Sequence, residues 1–278
     1  MENSTGQLAV VTGASSGIGL ELAKLFATNG YDLIIVAEDE GIESAADQLR
    51  SIGPIVEAVQ ADLATQDGVE EAWERVQALG RPVNAIAINA GVGVGGPFLE
   101  TDLDEEINLI NLNVTGAVHL AKHVVQHMSE RGEGKILFTS SIAADMPAPF
   151  EAVYGASKAF LLSFSEALRN ELKDMNITVT ALQPGPTDTN FFDRAGMQDT
   201  KVGADKKDDP ADVARDGFDA MMAGKDKVVA GSFKNVVQSK MAHVTPDTMN
   251  AEMHRKLSEP GSASKVKKDA DDANPSPS

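Results

Sequence analysis

Tyr154 and Lys158 lie four residues apart in the stretch VYGASKAF, inside a segment whose apolar spacing predicts a helix over about 154–175. Positions i and i+4 share one helix face, which would set an ammonium beside a phenol. A neighbouring cation favours the phenolate and would lower a pKa that starts near ~10 toward working pH. Such a pair could hand a proton to a carbonyl oxygen or take one from an alcohol. Gly155, Ala156 and Ser157 keep the start of the helix narrow, which would let a planar cofactor approach. Taken alone, the two residues also fit core filling and a solvated charge. Ser141, thirteen residues upstream at the end of the apolar run GKILFTSS (134–141), shifts that balance. Open α/β sheets bind ligands outside the carboxyl ends of their strands, so Ser141 would face the same crevice.

A second group of residues could hold a phosphate. VVTGASSGIGLELAKLF places Thr12, Gly13, Gly17 and Gly19 where a buried strand turns into a helix. Glycine permits the tight turn and a close backbone approach, and the free N–H groups of the helix start suit a pyrophosphate. The spacing is G-x-x-x-G-x-G, not the G-x-G-x-x-G of the general dinucleotide fingerprint. About twenty residues further on, IIVAEDE supplies Glu38 and Asp39, where an acid can accept hydrogen bonds from a ribose 2′-hydroxyl. A 2′-phosphate would meet both carboxylates with no nearby Arg or Lys, at a cost on the order of 1 to 4 kcal/mol per pair. NAD(H) is therefore favoured over NADP(H).

These groups need a scaffold, and the hydrophobic pattern supplies one. LAVVTG (8–13), YDLIIVA (31–37), IVEAVQADL (55–63), VNAIAINAG (83–91), GKILFTSS and ITVTALQPG (177–185) read as buried strands, with DKVVAG (226–231) as a seventh. Helical patterns cover 17–29, 41–53, 68–80, about 102–128, about 154–175 and 210–224. Apolar strands alternating with helices over short connections predict an α/β fold: a doubly wound parallel sheet of the Rossmann type, seven strands in three α/β/α layers. A single dinucleotide-binding and catalytic domain is expected over 1–258. Within it, 186–209 is too long for a routine connection and reads as a substrate loop. Residues 232–258 read as a C-terminal helical extension, two short helices on either side of Pro246. The small, polar, proline-bearing segment 259–278 is expected to be disordered.

Further motifs stand in the same order: Asn89-Ala90-Gly91 after the fourth strand, Asn113 in LNVTG, and PGPTDT (184–189). With them, the chain over roughly 6–231 resembles the short-chain dehydrogenase/reductase family. The resemblance implies hydride transfer between a nicotinamide dinucleotide and a ketone, aldehyde or secondary alcohol. It makes Tyr154 the general acid/base and Ser141 a hydrogen-bond partner of the substrate oxygen. Lys158 would bind the nicotinamide ribose and depress the Tyr154 pKa, and Asn113 would hold a water in a proton relay. Ser15, Ser16 and Ile18 would join Thr12, Gly13, Gly17 and Gly19 in the cradle. Asp62 and Leu63 would meet the adenine, and Asn89, Ala90 and Gly91 would line the adenosine side. Pro184, Gly185, Thr187 and Thr189 would meet the nicotinamide end. Relatives pair through long helices, so a homodimer or homotetramer joined by 102–128 and 154–175 is expected.

Composition narrows the partners. Forty-two acidic against 24 basic residues give a net charge of −18, a field that repels nucleic acid. No apolar run reaches membrane-spanning length, and MENSTGQLAVVTG lacks the basic and apolar regions of a signal peptide. With no cysteine there is no thiolate chemistry, and a cytoplasmic location is expected. His119, His123 and His127 form an i, i+4, i+8 ladder, but adjacent turns of one helix supply incomplete coordination. A surface or interface stripe is the expected reading, and no metal is assigned. Trp73 is expected to pack its helix on the sheet. Asn113 by itself would read as an exposed or helix-bending residue.

Val94, Phe98, Met146, Phe150, Phe191, Phe192 and Met197, with few charges beside them except Asp145, Asp193 and Arg194, predict an apolar pocket for a hydrophobic carbonyl or alcohol. A carrier- or CoA-linked 3-oxoacyl substrate would want a basic cluster, and none is evident; that lowers this alternative without removing it. A catalytically idle dinucleotide-binding sensor or scaffold is another alternative. The glycine spacing and the lack of a substantial second domain argue against a sugar-nucleotide epimerase.

Overall fold

The structure, a computed structural model, describes residues 5–242 and 244–263. Seven strands form one parallel sheet: β1 (Leu8–Thr12), β2 (Asp32–Ala37), β3 (Val56–Gln60), β4 (Val83–Ile88), β5 (Gly134–Thr139), β6 (Ile177–Pro184) and β7 (Lys227–Ala230). Their spatial order is β3-β2-β1-β4-β5-β6-β7. The order reverses between β1 and β4, so a crevice opens at the carboxyl ends of those two strands.

Alternation along the strands builds two cores. Leu8 and Val10 of β1, with Ile34 and Val36 of β2, face one side, where they meet Trp73, Leu120, Val124 and Leu161. Ala9, Val11, Leu33 and Ile35 face the other, against Leu22, Phe26, Leu49 and Phe218. The first face is covered by α3 (Gln66–Ala78), α5 (Ala117–Ser129) and α6 (Ala152–Leu172). The second is covered by α1 (Gly17–Thr28), α2 (Gly41–Arg50) and α9 (Pro210–Met222). Each helix starts where its sequence allows. Thr65 caps α3 through the Gly68 N–H at 3.0 Å, and Asp209 caps α9 through the Ala211 N–H at 2.8 Å with Pro210 in the first turn.

Two expectations need correction and one is sharpened. The long helix over about 102–128 is interrupted: α4 (Leu103–Ile110) passes through a π turn (Asn111–Gly116) before α5. The 186–209 segment, expected as a substrate loop, is a tied excursion. Asp188 and Asp208 pair at its neck (Asp188 N–H to Asp208 O, 2.8 Å), and it carries the short helices α7 (Phe191–Arg194) and α8 (Lys201–Ala204). The expected disordered tail also begins too early. Ser262 Oγ accepts from Lys201 N at 2.7 Å and the Ala263 N–H reaches Asp199 O at 3.1 Å, which pins 259–263 to the excursion. The rest of that tail, 264–278, lies outside the described residues. Between them, α10 (Phe233–Ala242) and α11 (Asp247–Ser258) flank Pro246.

Candidate active site

The glycine turn follows directly from β1. Gly13 takes a left-handed φ of 64° and its N–H reaches Val36 O at 2.8 Å, turning the chain over the end of β2. A Cβ on Gly19 would run into the Gly13 carbonyl oxygen and stand 2.7 Å from Asn89 Nδ2, so the first turn of α1 can sit this close only with glycine. Ser16 starts α1 without a side-chain cap, and the first turn holds no acid, which leaves its N–H groups free for an anion. These donors and this close approach fit a dinucleotide pyrophosphate.

Thr12 and Asn89 serve the cradle from beneath. Thr12 Oγ1 accepts from the Asn89 and Ala90 N–H groups at 2.9 and 3.0 Å. The Asn89 side chain donates to Thr12 O at 3.1 Å and accepts from Thr139 Oγ1 at 3.0 Å, lacing the ends of β1, β4 and β5 together. At the far end, Asp39 accepts from Ser15 Oγ at 2.7 Å and from the Gly41 N–H at 3.0 Å, while Glu38 is exposed. Asp62 accepts from the Ala64 N–H at 2.9 Å, which shapes the wall beside it.

A cleft of about 300 Å³ joins these residues to Ser141, Tyr154 and Lys158. Ser15, Ser16, Gly17, Ile18 and Gly19 line it, with Glu38, Asp39, Asp62, Leu63, Ala90 and Gly91. Ser141, Tyr154, Lys158, Pro184, Gly185, Thr187 and Thr189 complete the expected set. Thr12 and Asn113 are the expected residues that stand behind the wall. Asn113 is fully buried in the π turn. Its amide donates to Val92 O at 2.9 Å and Ser157 Oγ at 3.1 Å, and its Oδ1 accepts from the Val92 N–H at 3.0 Å. It is therefore not exposed; it sits where the helix is distorted into the π turn, and it ties α6 to the segment after β4.

Around Tyr154 the expected electrostatics are reversed. Burial pushes the phenol well above its ordinary range; a hydrogen bond with Ser141 pulls it down, and the Glu151 carboxylate pushes it up. Burial lowers Lys158 to about 8. Its Nζ donates to Thr139 O at 3.0 Å and stands 5.7 Å from the centroid of the Tyr154 ring. The protein by itself thus keeps Tyr154 a neutral proton donor. Gly155, Ala156 and Ser157 do not line the cleft: Gly155 packs against Ala148, and Ser157 Oγ donates to Tyr154 O at 2.7 Å.

This burial has a consequence for stability. Between about 8 and its ordinary value of 10.5, Lys158 carries its proton in the unfolded chain and loses it in the folded one. Stability therefore rises with pH across that window; the penalty is fully present below about 8. The raised phenol of Tyr154 opposes the trend only above its ordinary value of 10. The melting temperature of the protein should rise from pH about 8 to about 10 relative to that of Lys158→Met. Parallel profiles would contradict the burial argument.

Several cleft residues escaped the sequence reading. Glu151, buried just before Tyr154, accepts from Ser258 Oγ at 2.9 Å and contacts His254 Nε2 at 3.0 Å, bringing α11 onto the cleft wall. The partners are more than a hundred residues apart, so no local pattern signals them. Phe150, expected in the lining, lies outside it and turns the chain into α6 with a left-handed φ of 66°. Lys206 and Lys234 also line the cleft, with Arg194 and beside Asp205 and Asp208, so basic groups from positions forty residues apart share its wall. Of the expected apolar lining, Met146, Phe191 and Phe192 are present. Phe98 is instead 65% exposed, Arg255 covers the Phe150 ring, Met197 packs under Gly95, and Val94 packs with Leu109 behind Tyr154.

Comparison with known proteins agrees with this arrangement. A family model described as short chain dehydrogenase matches residues 7–199. The chain is 33% identical over 214 residues to the oxidoreductase UcpA of Salmonella typhimurium, covering 77% of this chain and 79% of that protein. It is similar to a short-chain dehydrogenase from Sphingobium yanoikuyae solved with NADPH, with TM-score 0.75, 31% identity, and 80% and 87% of the two chains covered. It is also similar to the 3-ketoacyl-(acyl-carrier-protein) reductase from Brucella melitensis complexed with NADH. There the TM-score is 0.72 and identity 28%, with 82% and 98% of the chains covered.

Proposed function

The chain belongs to the short-chain dehydrogenase family, and from that premise we propose that it interconverts a hydrophobic ketone or aldehyde and its alcohol, using NAD(H), with Tyr154 as general acid/base. The observation that carries the reading is one cleft with an uncapped helix start and two acids at one end, and the Ser141–Tyr154–Lys158 group at the other. A bound nicotinamide dinucleotide supplies or accepts hydride. The chain's own part is the proton. Tyr154, held neutral by burial and hydrogen-bonded to Ser141, keeps a proton at Oη for a carbonyl oxygen. Ser141 sits where its hydroxyl can orient that oxygen, and Lys158 is anchored on Thr139 O beneath the ring. In the alcohol-oxidising direction the same phenol gives up its proton first and then takes one from the alcohol, so Tyr154 serves both directions.

The test is a parallel turnover screen of ketones, aldehydes and secondary alcohols with NAD(H) and NADP(H). Glu38 and Asp39 support the NAD(H) choice. Asp39→Ala, which removes one carboxylate from beside a 2′-phosphate, should shift the kcat/KM ratio toward NADP(H) by roughly tenfold, the lower part of the Coulomb range. An unchanged ratio would remove Asp39 from cofactor choice.

A second reading is a 3-oxoacyl thioester reductase. The convergence of Arg194, Lys206 and Lys234 on the cleft supports it, since a CoA or carrier phosphopantetheine is anionic. Acetoacetyl-CoA belongs in the same screen, and turnover of it alone would select this reading. We also propose self-association through the faces of α4 and α6, where Leu103, Ile107 and Phe160 are exposed.

A further inference from the structure

We propose that Glu70, His119 and His123 form a binding site for a divalent transition-metal ion of the zinc, nickel and copper class, on the face where α3 meets α5 and away from the catalytic cleft. One helix alone could offer only the two imidazoles on adjacent turns. The packing of α3 beside α5 adds the missing third ligand from a different element. His119 Nε2 lies 2.8 Å and His123 Nε2 3.2 Å from the same oxygen, Glu70 Oε1. The three ligand atoms fall within 4.8 Å of one another. Zinc bonds of about 2.0–2.2 Å in a tetrahedron put ligand atoms roughly 3.3–3.6 Å apart. Side-chain rotation alone therefore brings these atoms to coordinating positions.

Two imidazoles and a carboxylate suit zinc, nickel and copper, and they leave a position for water. The surroundings orient the donors. The Trp73 indole stacks on the His123 ring, with centroids 5.4 Å apart and planes 11° apart, holding the imidazole edge-on to Glu70. His127, the third rung of the ladder, is committed elsewhere, because its Nε2 accepts the Val83 N–H at 3.2 Å. The ligands remain reachable from solvent: the side chains of His119 and His123 are 25% and 23% exposed and that of Glu70 41%. None of the three lines the cleft.

Trp73 is the only tryptophan of the chain, so the site carries its own reporter. Nickel titrated into the untagged full-length protein should quench Trp73 fluorescence saturably at one ion per chain. Zinc, which does not quench, should compete and restore the signal, and magnesium at equal concentration should do neither. His119→Ala and Glu70→Gln remove one ligand each from solvent-accessible positions while leaving the indole stack in place. Each should weaken the apparent affinity by at least roughly tenfold, no less than loss of an outer-shell partner costs. Far-ultraviolet dichroism and metal-free melting establish that both variants are folded. A quench that does not saturate, or that persists unchanged in both variants, would overturn the site and leave an ion-paired surface stripe.

Discussion

Tyr154→Phe should lower kcat by roughly 10²–10⁴-fold while leaving dinucleotide affinity within a few-fold of the parent. The substitution removes one oxygen from a ring that stays packed on Phe191 at 5.1 Å between centroids. Its structural cost is the hydrogen bond with Ser141, about 1 kcal/mol, far less than the kinetic effect. Steady-state turnover of a substrate found in the screen, beside calorimetric titration with NADH and NADPH, checks both halves. Turnover that survives would dismiss Tyr154 as the proton donor. Binding lost together with turnover would mean that the phenol holds the dinucleotide rather than the proton.

The second large effect belongs to the cradle. Gly19→Ala should abolish measurable dinucleotide binding and also destabilise the fold. Its Cβ would collide with the Gly13 carbonyl and press on Asn89 Nδ2, the group that laces β1 to β4. Overpacking of this kind costs about 1–3 kcal/mol, and here the obstacle is backbone, which cannot swing aside. A loss of about 2–4 °C in melting temperature per kcal/mol is expected for a domain of this size. Dinucleotide titration and thermal melting read the two effects separately. An alanine variant that binds with parental affinity would show that α1 can shift without harming the phosphate site. Gly53, which meets nothing within 4 Å of an added Cβ, marks the contrast, although its φ of 124° still favours glycine.

The fold was legible because its signals are local and redundant. Each strand is a short apolar run, and period-two alternation alone sorts Leu8 and Val10 from Ala9 and Val11 onto opposite cores. The glycine turn, Ser141, Tyr154 and Lys158 were legible for a related reason. They sit at strand ends or on one helix face, positions that chain order and helical period already specify. The boundaries blurred where tertiary contacts decide them. The π turn around Asn113 exists because its amide is held between Val92 and Ser157, and no run of residues from Asn111 to Gly116 announces that. The stretch from Glu259 to Ala263 reads as a tail by composition, yet Asp199 and Lys201 hold its end.

What a residue's neighbours do to its charge was also out of reach. Spacing placed Lys158 one turn from Tyr154 and suggested a lowered phenol. Burial dominates instead and moves both groups toward their neutral forms. Long-range pairing decided the rest: Glu151 with His254 and Ser258, and Glu70 with two histidines of another helix. The sequence by itself determined the sheet, the glycine turn and the order of Ser141, Tyr154 and Lys158 along the cleft, because period and chain order suffice for those. Only the tertiary structure decided desolvation and the meeting of distant side chains, because both depend on what packs against a residue from elsewhere in the chain.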